Sequence, residues 1–261
     1  MLYFIGLPIW LWLALGGGGG WWWYKNKKPS VPDNLPDWRP AMASAASSGK
    51  GYTVTQADLD AVDASHFAPN NPPAWLVPRV GTVIPAELLG PDDSLIPGTN
   101  IKWKTTGGPK DGTCPPIWRP IAQISARILE VIQAAAGTPI KVSSWWRGPK
   151  SSASTDQGEF ARRGGWGGYH PVAAALDMYA PAWVEADGQA KAKQRLYDLV
   201  QSLITAGKIP EGGLGIYGEK YKIIHYDPRS VLTGKRGAKW RKARWDRRPD
   251  PITGKVNKSG E

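Results

Sequence analysis

The chain has 261 residues and carries 33 Lys and Arg against 22 Asp and Glu, a formal net charge of +11. That length holds one well-cored domain with appendages, or two small ones. The charge favours an anionic partner (nucleic acid, acidic lipid headgroups or an acidic cell-wall polymer), while a single cysteine, Cys114, excludes an intramolecular disulfide and any zinc site built on cysteines.

The first residues, "MLYFIGLPIWLWLALGGGGGWWWY", contain no charge before Lys25. At about 1.5 Å per helical residue the run is long enough to span a bilayer, and "WWWY" followed by "KNKK" reads as an interfacial aromatic belt and a cationic stop. Residues 1–24 are therefore expected to be a membrane anchor. Pro8 and the five-glycine run weaken the helix, so a releasable anchor is one form it takes. A cleaved signal peptide is the competing expectation, with "ALG" as cleavage site, but a basic leading region is missing. The positive-inside rule puts the "KNKK" side, and with it the domain, in the cytoplasm.

Residues 25–116 alternate Pro-rich stretches with the Ser/Ala/Gly segment "AMASAASSGKG". They read as a linker and an extended arm that wraps the domain. Within them "TQADLDAVDAS" predicts one short helix capped by Thr55.

Periodic order begins at residue 117. Ile121, Ile124, Ile128, Val131, Ile132 and Ala135 recur at helical spacing, with Pro120 near the start and Gly137 at the end. "TPIKVSSWW" predicts a strand with Ile140 and Val142 alternating, and residues 150–168 a polar, Gly-rich loop. "HPVAAALDMYA" reads as a small-residue strand entering the core. "ADGQAKAKQRLYDLVQSLITAG" predicts a second amphipathic helix, with Leu196, Leu199, Val200 and Leu203 on one face and Gly207 at its end. "GGLGIYG" and "YKIIHYDP" form an expected closing hairpin. The pattern over 117–229 is an α+β domain on a mainly antiparallel sheet flanked by helices. After it, residues 230–261 form a basic extension in which Trp240 and Trp245 interleave with Lys and Arg. Such a segment suits a solvated tail, stacking on bases, a membrane interface or contact with an anionic wall polymer.

Only three histidines occur; His170 stands seven positions before Asp177, and His225 lies in "IIHYD". Residues seven apart cannot share a face of a strand, because alternation has period two. His170 is therefore expected in the loop before the strand and Asp177 inside it. Two neutral imidazoles and one carboxylate are the ligand types of a catalytic zinc site, with a fourth tetrahedral position open to water. The plainer expectation is a half-buried strand histidine, a turn acid and an exposed loop histidine.

"SSWWRGP", "YHPVAAALDMYAP", "GGLGIY" and "IIHYD", taken together and in this order, resemble the zinc D-Ala-D-Ala carboxypeptidase and L-alanyl-D-glutamate endopeptidase family. That family includes vancomycin-resistance dipeptidases and many phage endolysins, and shares its fold with the Hedgehog signalling domain. The resemblance covers residues 117–229. It implies Zn2+ held by His170, Asp177 and His225, with Arg147 steadying the oxyanion and orienting substrate. It also implies hydrolysis of peptide bonds in peptidoglycan stem peptides or cross-bridges, by an enzyme working at the cell envelope. Gly168 stands where the family has serine, and Ala173 where it has glycine. Lys222 stands three residues before the last histidine, where the best-known members carry Glu or Asp as general base. A lysine is a poor proton acceptor unless its pKa falls far. One branch of the family has His-x-Asp, which makes Asp227 the candidate base, with orientation of His225 as its alternative role and Glu219 in reserve. Two other readings stay open: a zinc-bearing wall-binding module with weak or no catalysis, and a membrane-anchored basic scaffold or nucleic-acid-binding virion protein.

Overall fold

The computed structural model describes residues 3–4, 7–8, 31–37, 51–60, 80–85, 114–147, 169–232 and 243–246. Its centre is a five-stranded sheet, and the helices around that sheet start and stop where local chemistry dictates. Strand β1 (Gly51–Thr53) leads into the short helix α1 (Gln56–Asp60) and pairs with β2 (Val83–Pro85). Thr55 caps α1 as expected: its Oγ1 accepts the Asp58 N–H at 3.3 Å, and the Asp58 carboxylate accepts the Thr55 N–H at 2.7 Å. Val54 and Ile84 are buried in the main core, and Val31 and Leu35 pack against it. These pieces of the 25–116 region thus lie on the domain.

Helix α2 (Arg119–Ala136) begins with proline in its first turn. It ends at Gly137, whose φ of 63° is a left-handed conformation that glycine adopts at little cost. Of the expected apolar stripe, Ile121, Ile128, Val131 and Ile132 are buried and Ile124 and Ala135 are partly buried. Strand β3 (Lys141–Ser144) follows, then β4 (Leu176–Tyr179), and then helix α3 (Pro181–Asp187), which the sequence reading did not anticipate. Helix α4 (Gln189–Thr205) buries Leu196, Leu199, Val200 and Leu203, as expected. Each such side chain contributes about 1.5–3 kcal/mol by leaving water. Strands β5 (Gly213–Ile216) and β6 (Ile224–Asp227) form the expected hairpin, and a one-turn helix α5 (Arg229–Leu232) comes next.

The fold class is α+β with a largely antiparallel sheet, in the order β3-β4-β6-β5 with a fifth strand beyond β5. The fifth strand, β7 (Ala243–Asp246), comes from the basic extension and runs parallel to β5. This part of the tail is thus built into the domain. Its neighbours in the tail lie outside the described residues. So does most of the expected anchor, of which only Tyr3–Phe4 and Leu7–Pro8 are described, paired with each other. Among the described residues no helix is long and apolar enough to cross a membrane.

The pairing register positions the site. Leu176 faces Tyr226 and Met178 faces Ile224, which puts these side chains on the face shared with Leu214 and Ile216. All six are 0–1% exposed and belong to one core with the buried faces of α2 and α4. Strand alternation then sends Asp177, His225 and Asp227 to the opposite face. Asp177 lies directly across from His225, and His225 directly across from Gly215.

Candidate metal centre

His170, Asp177 and His225 come together and are buried, at 6%, 1% and 6% exposure. One ligand atom from each lies within 4.8 Å of the other two. Asp177 and His225 meet because they share a rung of the sheet. His170 arrives from the chain before β4, in a single 3-10 turn (His170–Val172). That turn closes on Ala173, a non-glycine residue at φ 58°, in the left-handed region. The turn is pinned here by the Trp145 indole N–H, 2.9 Å from the Ala173 carbonyl, and by the Ser125 hydroxyl, 2.9 Å from the Ala174 carbonyl.

Outer partners settle which ring nitrogen of each histidine faces the cluster. His170 Nδ1 lies 2.7 Å from the Trp145 carbonyl oxygen, which can only accept, so Nδ1 carries the proton. His170 Nε2 is then a bare lone pair, buried, without a hydrogen-bond partner and 3.4 Å from Asp177 Oδ1. His225 is arranged the other way round. Its Nε2 lies 3.0 Å from Asp227 Oδ2, and its Nδ1 lies 3.0 Å from Asp177 Oδ1. Two imidazoles therefore turn opposite nitrogens toward one carboxylate oxygen. A buried lone pair with nothing to accept is costly in a finished core. The donor set and the orphaned Nε2 together fit a metal ion.

The carboxylates behave accordingly. Burial pushes the Asp177 carboxyl up, but His170 and His225 pull harder and hold it well below the usual carboxylate range. Asp227 is 0% exposed, and burial pushes it up as well. Arg229 outweighs that, with Nε 2.8 Å from Oδ1 and Nη2 2.8 Å from Oδ2, and His225 adds to the effect. The Gly213 and Arg229 amides also reach Oδ1, at 3.4 and 3.2 Å. A carboxylate gripped on both oxygens, on the far edge of the imidazole from Asp177, has the setting of an orienting acceptor. Burial lowers His170 below the ordinary histidine value, and the Arg147 charge lowers it further. Burial also works on His225, but Asp177 and Asp227 override it and raise the value.

Arg147 reaches the cluster from the end of β3. Its Nη2 donates to Asp177 Oδ2, and its Nε donates to Ser144 Oγ at 2.8 Å. The pairing between β3 and β4 shifts between Val142 and Ser144, an irregularity of the kind that re-aims side chains beside functional sites. Glu219 is exposed, and its carbonyl accepts the Gln189 side chain. Lys222 is also exposed, with Nζ 4.0 Å from the centre of the Tyr179 ring.

Three participants were not singled out in the sequence. The Tyr217 hydroxyl donates to Asp177 Oδ1 at 3.1 Å, Arg229 grips Asp227, and the Trp145 backbone orients His170. Tyr217 stands inside "GGLGIYG" and Arg229 directly follows "YKIIHYDP", and that adjacency to other motif residues is the available signal. No protein-family model, curated protein or solved structure matches the chain.

Proposed function

We propose that the chain is a zinc peptidase that hydrolyses peptide bonds in peptidoglycan stem peptides or cross-bridges. In this reading its domain has the fold of the D-Ala-D-Ala carboxypeptidases and the Hedgehog signalling domain. The observation that carries the proposal is the pair of buried histidines whose outer partners fix opposite ring nitrogens toward Asp177. Zinc bound by His170, Asp177 and His225 would supply Lewis acidity and a water of lowered pKa.

The protein's own groups take the remaining roles. Asp177 stays ionised. The Arg147 guanidinium, partly exposed beside it, donates to negative charge developing on the attacked carbonyl. Asp227 takes the orienting role toward His225 rather than that of base, which leaves Glu219 as the acid to test. Lys222 over Tyr179, and Lys220 with Nζ 4.9 Å from the Tyr221 ring, give the neighbourhood cationic groups suited to a substrate that bears carboxylates. The net charge of +11 suits an acidic wall polymer. Activity at the cell envelope, tethered through the N-terminal segment, completes the proposal. A releasable anchor would reconcile it with the "KNKK" signal.

Lys222 in place of the family acid favours one second reading, a zinc-bearing wall-binding module. Zinc content of the full chain and of its His225→Ala variant, with purified peptidoglycan digested by the same samples, separates the two. About one zinc per chain and new free amines, both lost in the variant, are the expected result. Zinc without digestion supports the binding module, and no zinc in either sample ends both readings.

A further inference from the structure

Lys193 is 2% exposed. Burial of an ammonium group is strongly unfavourable unless its hydrogens are satisfied. Here the group that satisfies them is one loop. Lys193 Nζ lies 2.8 Å from the Tyr217 carbonyl, 3.0 Å from that of Gly218 and 2.9 Å from that of Tyr221. An ammonium has three hydrogens, so the three carbonyls use its donor capacity in full. Gln189, one turn earlier on the same face of α4, donates to the Glu219 carbonyl. The β5–β6 connection is thus gripped through four of its carbonyls by two side chains of one helix. The far side of that connection touches the metal centre. The Tyr217 hydroxyl donates to Asp177, and its ring packs edge-on against Tyr221 with centroids 5.9 Å apart.

We propose that Lys193 is a positioning residue for the metal centre. Its ammonium holds the 217–221 loop at a fixed height on α4, and so delivers the Tyr217 hydroxyl to Asp177 Oδ1. Asp177 is then set from three directions: by the sheet rung, by Arg147 on Oδ2 and by Tyr217 on Oδ1. An apolar side chain of similar length at 193 would fill the same channel but leave three carbonyls without their donor. The loop would relax toward water and carry Tyr217 with it. The inference rests on the metal-centre reading and adds to it a residue outside every motif that suggested that centre.

The test uses the full chain loaded with Co2+, whose ligand-field absorption reports ligand geometry without any turnover, together with Co2+ affinity from competition with a chelator. Wild-type protein should show bands that His225→Ala lacks; if wild type takes up no Co2+, the metal-centre reading fails and this inference with it. Given bands, Lys193→Met should weaken Co2+ binding about tenfold, the low end of losses from removing an outer partner, and should shift the bands. Tyr217→Phe should weaken binding too, and the double variant should bind no worse than the weaker single one, because both act through one contact. Unchanged bands and affinity in Lys193→Met, or losses that multiply in the double variant, would overturn the proposal while leaving the metal centre standing. Should Lys193→Met not fold, Gln189→Ala takes its place: the expected result is a smaller loss in the same direction, absent in the Tyr217→Phe background, and an unchanged affinity overturns the proposal.

Discussion

Arg229 grips Asp227 with two prongs, Nε on one carboxylate oxygen and Nη2 on the other, each at 2.8 Å. The pair is almost out of water, and Asp227 also faces the imidazole that it orients. Removing one partner would leave a buried charge unpaired, which costs about 3–5 kcal/mol. Arg229→Met should therefore lower unfolding free energy by about that amount in urea titrations. Asp227→Asn keeps the shape and loses the charge, and should weaken metal binding about 10–100-fold by chelator competition. An Asp227→Asn variant with unchanged metal affinity would remove Asp227 from the site.

Gly213 stands directly across from Asp227, and a Cβ added there would fall 2.4 Å from Asp227 Oδ2 and 2.5 Å from Arg229 Nη2. Moving either group aside would break the two-pronged contact between them. Gly213→Ala should cost about 1–3 kcal/mol through overpacking and should weaken metal binding as His225 loses its acceptor. Thermal melts with and without added zinc read both effects, and a normal zinc-induced shift in the variant would contradict the second.

Protons compete with metal for His225. Burial lowers its pKa, but Asp177 and Asp227 raise it above the ordinary histidine value of about 6.5, whereas His170 is lowered and already neutral there. In the metal-free fold, protonated His225 stabilises at low pH, and that contribution is lost as pH rises through its folded pKa. His170 works in the opposite direction, so the metal-free melting temperature mixes the two. The metal-induced shift isolates the competition: it should grow from about pH 6 to about pH 8 as His225 gives up its proton. Equal shifts at both would contradict the assignment of His225 as ligand.

Leu196 is 1% exposed on α4. Leu196→Ala should destabilise by about 2–5 kcal/mol in denaturant titrations, from lost burial and the remaining cavity. Zinc stoichiometry should stay near one per chain, since the apolar and metal-facing sides of the sheet are separate. A loss of zinc in the folded variant would show that they are not.

The sequence made α2, α4 and the closing hairpin legible because each repeats its apolar residues at the period of its element. It also separated His170 from Asp177 correctly, loop from strand, by the alternation argument alone. Helix α3 escaped because seven residues with one buried tryptophan carry no period to detect. Lys193 escaped for a different reason. On a helix flanked by Lys191 and Arg195 it reads as one more solvated cation, and only the loop that closes over it makes it a core residue. Spacing alone allows Asp227 two roles, base or orienting acceptor, and the partner that bears on them, Arg229, does so through a two-pronged contact that spacing does not reveal.

The tail strand also changes what the basic extension is for. Residues 243–246 cover the backbone amides and carbonyls of β5, which would otherwise lie open along the sheet margin. Among the described residues β7 is then the outermost strand, and the sequence in and beside it reads Arg241, Lys242, Arg244, Arg247 and Arg248. Cations crowded on an outermost strand repel a second copy that would pair there, a common safeguard against sheet-to-sheet aggregation. A sequence of that charge at an outermost strand disfavours pairing with a second copy, and it needs no polyanion to do so.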